Sequence, residues 1–379
     1  MPTIVNQINK QAIYNSMKSE AFIIDKQPLA GGKFSTWLFL LTENRFGISP
    51  KYIPRVIYIT LLSAITAPFR AIEEKKYRKE IMEQEPEPIF IIGHFRSGTT
   101  YLHYLMSHDV NMSYVSTFET MVPGNFLFFS HFFKKLLSSS LPETRPMDDV
   151  RMSADYPYEE EYGVANLSPY SFYHGWYFPK KMREYFDKYV LFKDRKLAEK
   201  WKHVYSYLLK KVVYKEGKEK ILLKNPPNTA RIKELLDLYP DAKFIHIYRN
   251  PYEVFFSTKK LYEGIMPLFA LQNYNMEEIE ENIFYFYKAM YEKFFKERHL
   301  IKDENYVEIK YEDFIKAPLK TLEKIYNDLG IQGFEDSKNR FKEYIAQQKN
   351  YKPRNYKISK EDKERIYGHW KITIDKWGY

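Results

Sequence analysis

The clearest pattern along the chain is an apolar run, Ile89-Phe90-Ile91-Ile92, that breaks into polar, glycine-bounded residues from Gly93 to Gly98. Thr99 and Thr100 follow, and then an amphipathic stretch with Leu102 and Leu105 on one face. A short continuous apolar run reads as a buried strand, and a three-to-four residue spacing reads as a helix. Residues 89–105 therefore predict strand, tight loop and helix. The same sequence of elements recurs at Lys243–Tyr248 (KFIHIY), which ends at Arg249-Asn250-Pro251. Asn is a favoured N-cap and Pro a favoured first helical residue, so a second strand–turn–helix unit is expected here. Further strands are predicted near Ser113, over Ile221–Lys224 and over Tyr306–Lys310, and a long helix over 277–300.

Alternating strands and helices predict an α/β fold: a P-loop-like three-layer sandwich with a central parallel sheet. Ligands of such sheets bind at the carboxyl ends of strands, where both loops lie. Residues 1–85 read as a helical N-terminal segment that closes on a Pro/Glu linker, Glu83–Pro88. Residues 121–217 are aromatic and helical without strand alternation, and are expected to form a lid insertion. One domain is expected over 1–379, with a core at 86–349 and a basic tail at 350–379.

Two apolar stretches fall outside the sheet. Val56–Phe69 lies between Arg55 and Arg70 and is too short to span a bilayer. It reads as a core-packing helix, with an interfacial membrane helix as the alternative. Phe126–Leu137 (FLFFSHFFKKLL) could line a pocket, touch a membrane or join the core.

Charge and composition narrow the chemistry. The net charge of +10 suits an anionic ligand. Lys and Arg are interleaved with Glu, as in KKYRKE, which describes solvated helix faces rather than a nucleic-acid stripe. The absence of cysteine excludes disulfides and zinc–thiolate sites and suits a reducing compartment. The first residues lack the pattern of a signal peptide, so a cytoplasmic location is expected, with membrane association left open.

Gly93 and Gly98 have P-loop spacing, G-x-x-x-x-G, but Thr99 occupies the P-loop lysine position. The positive charge comes instead from Arg96, whose planar guanidinium suits bidentate contact with an oxyanion. No acidic residue lies in 243–248 to hold magnesium, as a P-loop NTPase would need.

Arg96-Ser97-Gly98-Thr99-Thr100 and the Arg249-Asn250-Pro251…Ser257 element together resemble the sulfotransferase superfamily, in particular a bacterial branch with Arg in the first loop. Ile221–Pro227, Asp241–Phe244 and Tyr311–Phe314 extend the resemblance over roughly residues 86–335. It implies transfer of a sulfuryl group from 3′-phosphoadenosine 5′-phosphosulfate (PAPS) to a hydroxyl, with 3′,5′-ADP as product and no metal required. In that reading Arg96, Ser97, Gly98, Thr99, Thr100 and the adjoining Tyr101 hold the 5′-phosphosulfate. Arg249 and Ser257 hold the 3′-phosphate, and Lys352 and Arg354 match a late basic segment that in related enzymes folds over the nucleotide, with a solvated basic loop as the alternative. Lys224, at a strand end between the two loops, touches the phosphosulfate bridge or caps the sheet. Arg96 also stabilises charge developing in transfer.

Three regions could supply the base: Glu119, the Glu159-Glu160-Glu161 run represented by Glu160, and His174 among aromatics. The aromatic middle region favours a hydrophobic alcohol, a sterol or other lipid, as the small-molecule acceptor. A carbohydrate acceptor is the runner-up, and a P-loop-like kinase or NTPase stands further back. No nucleic-acid partner is expected. Peripheral membrane contact and oligomeric state stay open.

Overall fold

The computed structural model describes residues 24, 26–141, 151–348 and 356–379. The N-terminal helices are α1 (Phe34–Glu43) and α2 (Ile53–Met82). They lead to β1 (Glu87–Ile92), α3 (Thr99–Met106) and β2 (Ser113–Tyr114). A helical insertion follows, containing α4 (Thr117–Met121), α5 (Ser130–Ser140), α6 (Glu160–Leu167) and α7 (Arg195–Glu216). The chain then returns to the sheet with β3 (Lys220–Lys224) and β4 (Lys243–Tyr248), continues through α8 (Pro251–Phe269) and α9 (Met276–Glu297), and adds β5 (Tyr306–Lys310). Two later helices are α10 (Phe334–Gln347) and α11 (Lys360–Trp377).

All strand pairings are parallel, in the order β2-β3-β1-β4-β5. Side chains of a strand alternate between faces, and β1 shows the result. Ile89 and Ile91 join Leu102, Leu105 and Ile245 in one apolar layer. Phe90 and Ile92 join Phe244, Leu223 and Tyr291 in the other. Both layers are capped by helices, which explains why β1 is apolar on both faces from Ile89 to Ile92 rather than alternating. The α/β sandwich expected from the strand–helix pattern is the fold found.

The central strand fixes the site. β3 and β4 flank β1, so the chain leaves β1 in one direction and later returns on the other side. A crevice opens at such a reversal, outside the carboxyl ends. Arg96 after β1 and Arg249 after β4 meet there, hydrogen-bonded to each other, and Lys224 ends the neighbouring β3. Lys224 is in register with Ile91, one residue short of the end of β1.

Two boundaries differ from expectation. The Pro/Glu linker is shorter than the composition suggests, because Glu87 and Pro88 already pair with Lys220 and Ile221. Proline is tolerated at this strand start, where a missing N–H costs least. The Val56–Phe69 stretch is part of α2 and packs into the core only in part, through Ile59 with Val56, Leu62 and Phe69 against the same cluster. Ile57, Leu61 and Ile65 are exposed. What α2 buries is Arg55, Ile59, Ser63, Thr66, Arg70 and Glu73.

Candidate active site

The loop between β1 and α3 is a strained turn. Gly93 has φ +141°, Arg96 +69° and Gly98 +92°. A Cβ at Gly93 would sit 2.2 Å from the Ile247 carbonyl oxygen, and one at Gly98 2.3 Å from the Tyr311 ring. Only glycine meets both the space and the dihedral demands at these positions. Arg96 has the left-handed conformation without being glycine, a cost that surrounding contacts must offset. Those contacts are specific. Its Nε donates to Ser257 Oγ at 2.9 Å, and its carbonyl accepts from Arg249 Nη1 at 3.2 Å.

The two loops, far apart in sequence, are thus hydrogen-bonded into one unit. Asn250 caps α8 as expected, its side chain accepting from the Tyr252 amide at 3.0 Å. This sets the helix start and places Ser257 on the turn facing Arg96. Arg249 stacks over Tyr311 at 4.6 Å and pairs with Glu253. The N-cap of α3 is Gly98, with no side chain capping the helix. Amides of Thr99, Thr100 and Tyr101 have no acceptor within the helix, and the helix dipole adds positive potential there. Arg96, Gly98, Thr99, Thr100, Arg249 and Ser257 line one cleft of about 1430 Å³, with Tyr101 on its wall. Ser97 is buried beneath it, its amide donating to the His94 carbonyl at 3.2 Å.

The acids of the Glu159–Glu161 run have three different environments. Glu159 N-caps α6, pairs with Lys224 Nζ and accepts from the Tyr173 hydroxyl. The Tyr173 ring lies 6.4 Å from Phe95, within the β1 loop, so the Glu159–Lys224 pair sits beside that loop. Lys224 is buried, while the Glu159 side chain stays 14% exposed.

Glu160 points into the core. It accepts from Tyr205 Oη at 2.7 Å and Asn228 Nδ2 at 2.9 Å, and burial pushes its carboxyl up to about 7. Glu161 is buried against Arg231. Burial alone would raise it, but the Arg231 charge and hydrogen bonds from Arg231, Asn225 and Ser171 outweigh that and hold it below its usual value.

The structure does not bring the other two base candidates to the β1 loop with a free carboxylate or imidazole. Glu119 borders the cleft, but both its oxygens are engaged. Oε2 accepts from the Ser116 amide at 2.7 Å in a capping box, and Oε1 pairs with Lys215 Nζ at 2.6 Å. His174 is fully buried outside the cleft lining, with Nε2 3.0 Å from the Ser168 carbonyl, and burial lowers its pKa to about 4. Lys352 and Arg354 lie outside the described residues. Within the acidic run the sequence pointed to Glu160, which is turned into the core; Glu159 lies nearest the β1 loop, with both oxygens engaged by Lys224 and Tyr173, and neither Glu159 nor Lys224 lines the cleft. The available signal for the Glu159 contact was Lys224, a lysine at a buried strand end that requires an acid partner.

Residues 88–336 match the sulfotransferase family. The chain is 30% identical over 354 residues to an omega-hydroxy-beta-dihydromenaquinone-9 sulfotransferase, Stf3, of Mycobacterium bovis, covering 92% of this chain and 90% of that protein. The corresponding protein of Mycobacterium tuberculosis matches to the same extent. Among solved structures, sulfotransferase STF9 from Mycobacterium avium superposes with a TM-score of 0.69 at 14% identity, covering 87% of this chain and 86% of that one.

Proposed function

The chain belongs to the sulfotransferase family and is a sulfotransferase, and from that premise we propose that it uses PAPS to sulfate the hydroxyl of a hydrophobic alcohol, a lipid rather than a carbohydrate. The observation that carries the donor assignment is the pairing of two anion stations through the Arg96–Ser257 hydrogen bond. One station is the β1 loop, with Arg96 and the α3 amides; the other is Arg249 with Ser257. A nucleotide carrying anionic groups at two separate positions of its ribose matches that pair. A triphosphate–magnesium complex would call for a carboxylate on the second strand, and β4 reads KFIHIY. The lipid assignment is supported by the menaquinone-derivative sulfotransferase among the relatives and by the aromatic residues around the β1 loop.

PAPS supplies the sulfuryl group, and 3′,5′-ADP leaves. The residues of this chain provide charge stabilisation and position. Arg96 and the amides of Thr99 and Thr100 face the phosphosulfate. Lys224, at the end of β3, meets the charge that grows on the bridging oxygen. Glu159, beside Lys224 and partly open to solvent, takes the proton of the acceptor hydroxyl. The Lys224–Glu159 pair keeps base and cation in register before substrate arrives, the kind of preorganisation that dominates group transfer of this type.

The test is thermal melting with 3′,5′-ADP against ATP–magnesium, followed by transfer from labelled PAPS to long-chain alcohols, quinols and sugars. A ligand at about 100 times its Kd adds about 2.7 kcal/mol. A rise with 3′,5′-ADP alone and label in the lipid acceptors is expected. A rise with ATP–magnesium alone would overturn the donor, and label only in sugars would overturn the acceptor.

A further inference from the structure

We propose that the outward faces of α1, α2 and α5 form one surface that docks on an anionic lipid bilayer, beside the cleft. The key observation is that α2 is amphipathic in the inverted sense. Its protein-facing side buries Arg55, Ser63, Thr66, Arg70 and Glu73 together with Ile59 and Ile81. Its outward side carries Ile53, Ile57, Leu61 and Ile65 at every fourth position, 48%, 53%, 55% and 61% exposed.

The inward polar groups are tied in place. Arg55 donates to the carbonyls of Pro267 and Ala270 at 2.7 and 3.0 Å. Glu73 accepts from the Leu127 and Phe128 amides at 2.9 and 2.8 Å and pairs with Lys211. Rolling the helix to hide its isoleucines would break these bonds and strand buried charges. The stripe therefore stays outside, where a contiguous apolar patch marks an interaction surface.

Neighbouring helices widen it. α1 is joined to α2 by Trp37 Nε1 donating to Thr60 Oγ1 at 2.8 Å, and it exposes Leu38 and Phe39. α5 and the turn before it pack on α2 through Phe69, whose ring lies 4.9 Å from Phe129 and 5.8 Å from Phe133, and α5 exposes Phe132 and Leu136.

Charge selects the occupant. No Asp or Glu lies between Glu43 and Glu73, or between Glu119 and Glu143. The same stretches expose Arg45, Lys51 and Lys135. Apolar side chains rimmed by cations match acyl chains beneath anionic headgroups. A two-fold contact with a second copy would set these cations against one another.

From Ile53 to Ile65 the stripe runs about 18 Å at 1.5 Å per residue. Since α2 is packed on the protein along its other side, it lies in the membrane plane rather than crossing it. α5 also reaches the cleft, because Lys134 pairs with Asp155 of the cleft wall. The lipid acceptor proposed above would then approach from the bilayer. That last step rests on the acceptor reading; the docking does not.

The experiment is co-sedimentation with vesicles of phosphatidylcholine alone and of phosphatidylcholine mixed with phosphatidylglycerol. Three proteins are compared: wild type, Ile57→Glu/Leu61→Glu/Ile65→Glu, and Arg45→Glu/Lys51→Glu/Lys135→Glu. Wild type is expected to bind the mixed vesicles at least about tenfold more tightly than the neutral ones. The charge-reversed protein should lose that preference, and the triple-acid protein should bind neither. The 3′,5′-ADP melting shift, measured on all three, reports the fold and the nucleotide site independently. If wild type stays in the supernatant with both vesicles, or if the triple-acid protein sediments like wild type, the proposal fails. It also fails if ultracentrifugation shows a dimer that the triple substitution dissolves while vesicle binding is absent. If transfer to lipid fails but vesicle binding holds, the acceptor reading alone falls.

Discussion

Glu160→Gln separates structural from chemical roles within the acidic run. The Glu160 side chain is fully buried; Oε1 takes both hydrogen bonds, from Tyr205 and Asn228, and Oε2 has no partner. Burial, opposed in part by the Tyr205 bond, raises the carboxyl from 4.5 to about 7. In the unfolded chain the group loses its proton first, so stability falls as pH rises between these values and the loss is complete above about 7. At about 1.4 kcal/mol per pH unit, the gap corresponds to about 3 kcal/mol. Glutamine reproduces the neutral carboxyl and has nothing to titrate. The two proteins should be equally stable near pH 4, diverge between about 4.5 and 7, and differ by about 3 kcal/mol at about pH 8 with the variant more stable. Urea denaturation across this range measures it, and sulfate transfer by the same protein should stay close to wild type. Parallel stability profiles would refute the sealed, neutral carboxyl. A hundredfold loss of transfer in a folded variant would refute the structural role.

Other substitutions probe the remaining parts. Arg96→Ala should lower transfer by a barrier increment of about 3 kcal/mol, with melting of the free protein unchanged and the 3′,5′-ADP shift abolished; wild-type transfer would remove Arg96 from the site. Glu159→Gln should reduce kcat by about 10²–10⁴-fold with little change in melting. Glu119→Gln should do the opposite, losing the Lys215 pair and retaining activity, and a reversal of this pattern would return the base to Glu119. Arg231→Met leaves the Glu161 carboxylate buried without its guanidinium, so a loss of about 3–5 kcal/mol in urea denaturation is expected.

The two strand–turn–helix units were legible because their signals are local. Ile89–Ile92 is apolar on both faces, Asn250-Pro251 states a helix start, and the glycines announce a turn that needs positive φ. That Arg96 hydrogen-bonds Ser257 was announced by no local signal, since the contact spans 161 residues. The acidic run was less legible for a related reason. Glu159, Glu160 and Glu161 are consecutive and chemically identical, and the helix they open turns each in a different direction. One meets Lys224, one Tyr205 and one Arg231, partners contributed by β3, α7 and the segment after β3. Nothing within the run ranks them; only the tertiary partners do.

α2 was only partly legible, for a more instructive reason. Hydropathy identifies apolar residues, and the ordinary inference buries them; in α2 Ile59 is buried and Phe69 packs on Phe129 and Phe133, but Ile57, Leu61 and Ile65 face outward. Direction follows from the polar positions. Arg55, Ser63, Thr66, Arg70 and Glu73 advance around the helix at about the same period and so share one side. Two of them are arginines and one a glutamate, groups that are buried only when paired. Their partners lie in α7, α8 and the segment before α5, at Lys211, Pro267 and Leu127, so the pairing could not be seen along α2 itself. Once those bonds fix the polar side inward, the isoleucine side has no freedom left. The fold does not choose to expose it; the buried charges require it, and that necessity is what makes the exposed stripe a feature of the protein's interactions rather than of its core.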